Sequence, residues 1–226
     1  MRCVNRPRAI LLDLDGTLVD CSEPIVDGIL AVALEAGLRV PDRGWAHARI
    51  GFSALDTWRL LGADDPAALL ARYREHVNPT LAERTHALPG ALDAVAELAA
   101  RGHLLAVATT RGAASARAGL KATRLLTHVS VVVGGDDVTL PKPHPEALLL
   151  ALEQLDVPAG SALMVGDTAA DIGAAHAAGL PCWSVLGGTH DEKTLRAAGA
   201  DLILAQGIAE LPAALDRLSP TEHASS

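Results

Sequence analysis

Short apolar runs recur along the chain and alternate with longer stretches rich in Ala and Leu. The first run, residues 9–12, leads directly into the polar segment Asp13-Leu14-Asp15-Gly16. Runs of this length that are apolar at every position and end at turn residues are typical of strands buried on both faces. The predicted strands are residues 9–12, 104–108, 129–133, 162–165, 182–186 and 201–204.

Most of these strands are separated by Ala/Leu-rich stretches with helical spacing, at residues 91–100, 113–120, 145–155 and 169–178. Buried strands that alternate with helices predict the α/β fold class, with a doubly wound parallel sheet covered by helices on both faces. Ligands of such sheets bind beyond the carboxyl ends of the strands. The polar residues that follow each strand are therefore the candidates for function.

Residues 17–88 interrupt the alternation, because this interval contains helical patterns and no predicted strand. The predicted helices are residues 24–36, 42–50, 53–61 and 66–77, with breaks at Gly37, Pro41, Gly51, Gly62 and Pro79. We interpret the interval as an all-helical insertion connected by residues 20–23 and 88–89. The predicted division is an α/β core domain of residues 1–19 and 86–226 and a helical domain of residues 20–85. The polar tail, residues 219–226, is expected to be frayed.

The amino-acid composition excludes some classes of function. The 226 residues include 19 Lys and Arg against 27 Asp and Glu, a net charge of −8, and only 2% are aromatic. This balance disfavours nucleic-acid binding, which needs basic and stacking side chains. No stretch approaches the roughly 20 apolar residues of a membrane span. Cys3, Cys21 and Cys182 have no CxxC spacing, which favours a reducing compartment. We expect a cytoplasmic protein without a membrane partner.

Two carboxylates follow the first predicted strand, in the segment Asp13-Leu14-Asp15-Gly16-Thr17. Aspartates two positions apart at the carboxyl end of a strand reach the same crevice if the backbone bends between them. Gly16 permits the turn that follows, because glycine adopts backbone conformations that other residues avoid. This segment resembles the first motif of the haloacid dehalogenase (HAD) superfamily of phosphohydrolases.

Three further segments resemble the remaining motifs of that superfamily, in the expected order. Residues 105–110 end in Thr109 and Thr110, residues 141–146 contain Lys142, and residues 165–171 contain Asp167 and Asp171. The resemblance covers the whole chain and is nearest to phosphoglycolate phosphatase-like proteins. It implies a Rossmann-like core, with the helical interval as a cap of the first type that this superfamily inserts.

The resemblance also implies a role for each motif residue. Asp13 is expected to attack phosphorus and form an aspartyl-phosphate, and Asp15 to act as general acid and then as general base. Lys142, the Thr109 hydroxyl and the Thr110 amide are expected to bind the phosphoryl oxygens, where transition-state charge lies.

The expected cofactor is Mg²⁺, because carboxylate and carbonyl oxygens are its preferred ligands. The resemblance implies the Asp13 side chain, the Asp15 backbone carbonyl and Asp167 as ligands. Asp171 is expected either to bind the metal or to orient a ligand.

Two positions depart from the superfamily pattern. Thr110 stands where Asn is frequent, which leaves a side-chain hydrogen bond from this position in question. Cys21 stands where Ser is frequent, and we interpret it as a structural or hinge residue. In the cap, residues 47–53 resemble the turn that faces the active site in phosphoglycolate phosphatase-like proteins. Arg49 is a candidate for binding a substrate carboxylate, and Gly51 for close approach of the backbone to the ligand.

Chemistry narrows the choice within the superfamily. Dehalogenases of this fold use one aspartate, so Asp15 argues against them, and phosphonate hydrolases need a cap lysine, which residues 17–88 lack. A phosphatase acting on a small phosphorylated metabolite remains, with a sugar-phosphate mutase resembling β-phosphoglucomutase as the alternative. A catalytically idle protein that binds a phosphorylated ligand is a further alternative. A monomer or a homodimer is expected.

Overall fold

The structure, a computed structural model, describes residues 6–218, so Cys3 and the predicted frayed tail lie outside the described residues. The strands are β1 (Ala9–Leu12), β2 (Val19–Asp20), β3 (His86–Ala87), β4 (Leu104–Ala108), β5 (Val131–Val133), β6 (Ala162–Gly166), β7 (Cys182–Val185) and β8 (Leu202–Leu204). The helices are α1 (Ser22–Glu35), α2 (Arg43–His47), α3 (Ala54–Leu60), α4 (Pro66–Leu81), α5 (Ala91–Ala100), α6 (Ala113–Ala122), α7 (Glu146–Leu155), α8 (Ala169–Ala177), α9 (Glu192–Ala198) and α10 (Leu211–Asp216). Short 3₁₀ turns occur at Leu125–His128, Ala159–Ser161 and Gly207–Glu210.

Six parallel strands form the main sheet, in the order β5-β4-β1-β6-β7-β8. Alternate residues of β1 enter two separate apolar layers, since Ile10 packs with helices α5, α6 and α10, and Leu11 packs with α7, α8 and α9. A parallel sheet covered on both faces is what the continuous apolar runs predict. The predicted α/β fold class is confirmed.

The four helices α1–α4 lie between β2 and β3 and have an apolar core of their own. That core includes Val26, Ile29 and Val32 of α1, Trp58 of α3 and Leu69 of α4. The predicted helical interval is therefore present, with shifted bounds. The division into domains at residues 20 and 85 stays a prediction.

Three details of this interval were predicted wrongly. Strands β2 and β3 pair antiparallel, with Val19 opposite Ala87, although the interval was expected to contain no strand. A strand of two residues is too short to show an alternation of apolar and polar positions. The two strands pair because the two segments that connect the helical interval to the core lie side by side. The first connection is shorter than predicted, because α1 begins at Ser22.

The third correction concerns Pro79, which was expected to break the helix but lies inside α4. Proline removes one backbone hydrogen bond, to the carbonyl four residues earlier. That carbonyl belongs to Glu75, which is exposed, as is Pro79, so water can bind it. Helices α9 and α10, of seven and six residues, were not predicted. Within the described part of the chain, no helix is long and apolar enough to cross a membrane.

Candidate active site

The carboxyl ends of three neighbouring strands bring most of the motif residues together. Strand β1 lies between β4 and β6, with Leu12 beside both Val107 and Val165. The residues that follow these strands therefore share one crevice. Four predicted site residues are almost completely buried, with 0–3% of their surface exposed. Three of them follow these strands and one lies in the 141–146 loop: Asp13, Thr109, Asp167 and Lys142.

Three buried carboxylates form a cluster in this crevice. Asp13, Asp167 and Asp171 each place a carboxylate oxygen within 4.8 Å of the others. Burial raises the pKa of Asp13 well above its usual range. Burial and the nearby charge of Asp171 raise the pKa of Asp167 to about 6, although hydrogen bonds from Thr17 and Thr189 oppose the shift. The cluster holds more negative charge than its protein surroundings readily stabilise.

Lys142 neutralises part of that charge. Its Nζ donates to Asp13 Oδ1 at 2.6 Å, to Asp171 Oδ1 at 2.5 Å and to the carbonyl oxygen of Ala108 at 3.1 Å. Burial by itself lowers the pKa of Lys142, but the two carboxylates outweigh it and raise the pKa above its usual value. The side chain is therefore an ammonium ion in direct contact with Asp13.

Asp171 has both carboxylate oxygens occupied by protein donors. Oδ1 accepts from Lys142, and Oδ2 accepts from the backbone N–H of Thr168 at 3.0 Å and from its hydroxyl at 2.6 Å. The Thr168 side chain in turn accepts from the Asp171 N–H, which completes a capping box at the start of α8. Asp171 thus contacts Lys142, and both of its predicted roles, binding the metal or orienting a metal ligand, stay predictions.

The carboxylate cluster fits a magnesium ion. Asp13 Oδ2 is buried and has no hydrogen-bond partner within residues 6–218. Asp167 Oδ1 accepts from the Thr17 hydroxyl at 3.0 Å, and Oδ2 accepts from the Thr189 N–H at 2.6 Å. A buried carboxylate oxygen without a donor is costly, and a hard divalent cation removes that cost. The Asp15 side chain is not part of the cluster, so the backbone carbonyl predicted as its ligand atom stays a prediction.

The carboxylate of Asp15 is held by a residue that sequence reasoning missed. Arg111 Nε donates to Asp15 Oδ2 at 3.1 Å, and Arg111 Nη2 donates to Asp15 Oδ1. Arg111 follows Thr109 and Thr110 at the end of β4 and comes just before α6. Like those threonines, Arg111 is a polar residue at the carboxyl end of a strand, which is the signal by which it could have been found.

Cys21 completes the surroundings of Asp15. Its Sγ donates to Asp15 Oδ1 at 2.7 Å and lies next to Arg111 Nη2. Burial, with the charge of Asp15, raises the pKa of the Cys21 thiol well above its usual value, even though Arg111 opposes this. A thiol that keeps its proton is a poor nucleophile. Cys21 also directly precedes α1, and its interpretation as a structural or hinge residue stays a prediction.

A cavity of about 170 Å³ lies between the helical cap and the loop that follows β4. Thr110, Arg111 and Asp15 line it from the core, and Arg49 and Gly51 line it from the cap. The structure thus places both predicted cap residues at the same cavity as Asp15 and the phosphate-binding candidate Thr110.

The two cap residues are held in different ways. The guanidinium of Arg49 lies over the rings of Trp45 and Phe52, at 5.5 and 5.3 Å from their centroids. Gly51 has φ +84°, and a Cβ there would lie 2.8 Å from Thr168 Cγ2. Glycine therefore lets the cap turn contact the core at the start of α8. The roles predicted for both residues stay predictions.

Comparison with known proteins agrees with this geometry. A family model described as haloacid dehalogenase-like hydrolase matches residues 10–185. The chain is similar to a "Probable phosphatase IndB" of Dickeya dadantii, with 35% identity over 86% of this chain and 88% of that protein. It is also similar to a plasmid-encoded phosphoglycolate phosphatase of Cupriavidus necator, with 34% identity over 94% and 95% of the two chains. Among solved structures, CbbY from Rhodobacter sphaeroides in complex with phosphate has a TM-score of 0.78 and 30% identity, and covers 93% of this chain and 99% of its own.

Proposed function

The chain belongs to the haloacid dehalogenase-like hydrolase family and is a phosphatase, and from this premise we propose that it hydrolyses a small-molecule phosphate monoester through a phosphorylated Asp13. The proposal rests on the burial and the hydrogen-bond partners of Asp13. This buried carboxylate at the end of β1 has one oxygen bound to Lys142 and the other without a partner in the described chain. We assign Oδ2, the oxygen without a donor, to the metal site described above and Oδ1 to the attack on phosphorus, with the Lys142 ammonium shared between Oδ1 and the phosphoryl oxygens.

In the first half of the reaction, an oxygen of Asp13 attacks the phosphorus of the ester. A bond from Asp13 to phosphorus forms, and the bond from phosphorus to the alcohol oxygen breaks. We propose that Asp15 enters this step protonated and released from its ion pair with Arg111, and that it gives its proton to the departing alkoxide, which leaves as an alcohol. The Lys142 ammonium, the Thr109 hydroxyl and the Thr110 amide bind the remaining phosphoryl oxygens.

In the second half, water attacks the phosphorus of phosphorylated Asp13. Asp15, now a carboxylate, takes the proton from that water, and the bond between Asp13 and phosphorus breaks. Inorganic phosphate leaves, and Asp13 is a carboxylate again. Asp15 thus returns to its starting protonation state, so each turnover consumes one ester and one water.

We propose Mg²⁺ as the cofactor, with the Asp13 side chain, Asp167 and the Asp15 backbone carbonyl as protein ligands and Asp171 as the residue that orients Lys142. When bound, the ion neutralises charge on the phosphoryl oxygens and on the carboxylates, which would otherwise repel each other. Thr17 and the Thr189 N–H hold the Asp167 carboxylate in place through the hydrogen bonds described above.

A small metabolite fits the site better than a phosphoprotein does, because the cavity of about 170 Å³ lies between the cap and the core. Phosphoglycolate is a candidate, since it is the substrate named for the Cupriavidus necator relative. A sugar-phosphate mutase remains the alternative, in which a sugar hydroxyl replaces water as the acceptor. A monomer or homodimer in the cytoplasm, without nucleic-acid or membrane partners, completes the proposal.

The test is phosphate release from a panel of phosphorylated metabolites by the purified chain with Mg²⁺. The expected result is a stoichiometric yield of inorganic phosphate and alcohol for at least one ester, and none with Asp13→Asn. A mutase would instead convert a sugar phosphate to its isomer without releasing phosphate. Absence of both products for every ester would reject the proposed function.

A further inference from the structure

The loop that follows β7 lies against the residues that follow β6, because these two strands are neighbours in the sheet. Two hydrogen bonds join the two segments. The Thr189 N–H donates to Asp167 Oδ2 at 2.6 Å, and the Ala169 N–H donates to His190 Nδ1 at 3.1 Å. Since Thr189 and His190 are consecutive, the second bond holds the backbone that makes the first.

The bond to His190 satisfies a donor that has no partner in its own helix. Ala169 is the first residue of α8, so its N–H has no carbonyl acceptor within that helix. Partial burial and the charge of Arg49 lower the pKa of His190. Asp171 and Asp191 oppose this shift without reversing it. The ring is therefore neutral, with its proton on Nε2, because Nδ1 accepts the hydrogen bond.

The same loop is in direct contact with the proposed metal ligand Asp167. A Cβ on Gly188 would lie 2.3 Å from Asp167 Oδ2 and 2.5 Å from the carbonyl oxygen of Gly16. The backbone of the loop therefore packs against the Asp167 carboxylate as well as donating to it. A displacement of the loop changes the position of that carboxylate, so a residue that fixes the loop also fixes the carboxylate.

The ring of His190 also contacts the cap. Its centroid lies 5.8 Å from that of Phe52, with the ring planes inclined at 48°. Aromatic rings at this separation attract each other. Gly51, the residue before Phe52, contacts Thr168 of the core, since a Cβ on Gly51 would lie 2.8 Å from Thr168 Cγ2. The cap turn thus meets the core at two residues that adjoin Ala169, which are Thr168 in the chain and His190 through its hydrogen bond.

We propose that His190 is a positioning residue that fixes the cap turn relative to the metal site. Through Nδ1 it holds the loop whose Thr189 N–H orients Asp167, and through its ring it supports the cap at Phe52. His190 acts through Asp167 and Phe52 rather than on the substrate. This inference rests on the proposed function and deepens it, because it assigns the side chain that joins the cap to the metal ligand.

The test uses two substitutions that each keep one of the two contacts. His190→Asn keeps a side-chain acceptor close to the position of Nδ1 and loses the ring, whereas His190→Phe keeps a ring and loses the acceptor. Calorimetry measures the binding of Mg²⁺ to each protein without substrate. KM and kcat are measured at saturating Mg²⁺ with 4-nitrophenyl phosphate and with the best ester of the metabolite panel.

The two variants should differ in which quantity changes. His190→Phe is expected to weaken Mg²⁺ binding by about tenfold, as loss of a bond that orients a metal ligand does, and to leave KM within about twofold. His190→Asn is expected to bind Mg²⁺ within about twofold of wild type and to raise KM by about two- to tenfold, the equivalent of one aromatic contact. In both variants kcat should stay within about threefold, because neither removes a group that reacts.

A double variant tests whether the change in KM comes from the contact between the two rings. Phe52→Leu should raise KM as His190→Asn does, and the double variant should be no worse than the weaker single variant, because both substitutions remove the same contact. His76→Asn and His76→Phe are the matched controls, since His76 is exposed on α4, and should change neither KM nor Mg²⁺ binding.

The outcomes are distinguishable from a failure of the proposed function. If wild type binds Mg²⁺ and releases phosphate but His190→Phe binds Mg²⁺ as wild type does, the inference alone is wrong. Equal changes in both His190 variants, or additive effects of Phe52→Leu and His190→Asn on KM, would also overturn it. If wild type binds no Mg²⁺ or hydrolyses no ester, the proposed function falls and this inference falls with it. Thermal unfolding checks that each variant folds, and His190→Leu, which also lacks the acceptor, replaces His190→Phe in the Mg²⁺ measurement if that variant does not fold.

Discussion

Arg111 holds the carboxylate of Asp15 at two points inside the protein, through Nε and Nη2. Both side chains are almost fully buried, at 7% and 8% exposure. Gly119 of α6 makes room for the guanidinium, since a Cβ there would lie 2.9 Å from Nη1. The group proposed as general acid and base is thus positioned by an arginine from a different strand end.

Removing this arginine should destabilise the protein, because it leaves a buried carboxylate without its cation. Arg111→Met is expected to lower the free energy of unfolding by about 3–5 kcal/mol. Asp15→Asn in the same chain should recover much of that loss, because the uncompensated charge is then gone. Denaturant unfolding of the two single variants and the double variant measures the coupling. Strictly additive losses would mean that the pair contributes nothing beyond packing.

Replacing Asp13 should abolish turnover without unfolding the protein. Asp13→Asn keeps an oxygen acceptor for Lys142 but is a poor nucleophile, so we expect kcat to fall by about 10⁴-fold or more. Asp15→Asn should also be nearly inactive with esters of alcohols, yet still become phosphorylated by an ester whose leaving group needs no proton.

Mass spectrometry of acid-quenched Asp15→Asn should then find phosphate on Asp13. Residual activity of Asp13→Asn within tenfold of wild type, or a lack of label with every activated donor, would count against the covalent route.

Activity should require Mg²⁺ and be inhibited by Ca²⁺. Both ions bind carboxylate oxygens, but Ca²⁺ takes about six to eight ligands in looser geometry and would misalign the attacking oxygen of Asp13. Calorimetry should show Mg²⁺ binding to wild type and weaker binding to Asp167→Asn. Equal rates with Ca²⁺, or full activity after exhaustive chelation, would refute the proposed metal site.

In the metal-free protein, the contribution of Asp167 to stability should fall as the pH rises through the range where this carboxyl ionises. Burial raises the pKa of Asp167 in the folded state from 3.8 to about 6, so the folded state binds more protons than the unfolded state between these values. The contribution of Asp167 to the free energy of unfolding therefore falls as the pH rises from 3.8 to about 6 and then levels off. Asp13, whose pKa burial also raises, acts in the same direction.

The measurement is denaturant unfolding in chelator at several pH values, for wild type and Asp167→Asn. Because Asn cannot ionise, the variant should gain stability relative to wild type as the pH rises. Saturating Mg²⁺ should reverse the trend in wild type, since the ion favours the carboxylate. A difference between the two proteins that does not vary with pH would reject this account of Asp167.

Arg49 should affect binding rather than chemistry. If it recognises an anionic group of the substrate, Arg49→Ala should raise KM for a carboxylated phosphoester by about one to three decades and leave an uncharged aryl phosphate unchanged. Arg59→Ala is the matched control in the cap, because Arg59 is 60% exposed and pairs with Asp56 on its own helix. Equal losses on both esters would make Arg49 a structural residue of the cap.

Local patterns in the sequence predicted the six strands of the main sheet and four of the helices that cover it, but not α9 and α10. Strands β1 and β4 and helix α5 have the bounds that their apolar spacing predicts. The reason is that the apolar pattern of a buried strand or of an amphipathic helix lies within one stretch of consecutive residues. The paired strands β2 and β3 were missed because their pairing joins residues that are far apart in the chain.

The sequence alone determined which residue types follow the strands, and hence that Asp13, Thr109 and Asp167 are candidates for one site; Lys142, which lies in a loop, was added by the motif resemblance. Only the tertiary structure decided which of them touch. The order β4-β1-β6 brings three strand ends together, and it places Lys142 between Asp13 and Asp171 and Arg111 against Asp15. These contacts depend on the order of the strands and on the position of the cap on the core. Both result from packing between segments that are distant in the chain, so no local sequence pattern reveals them.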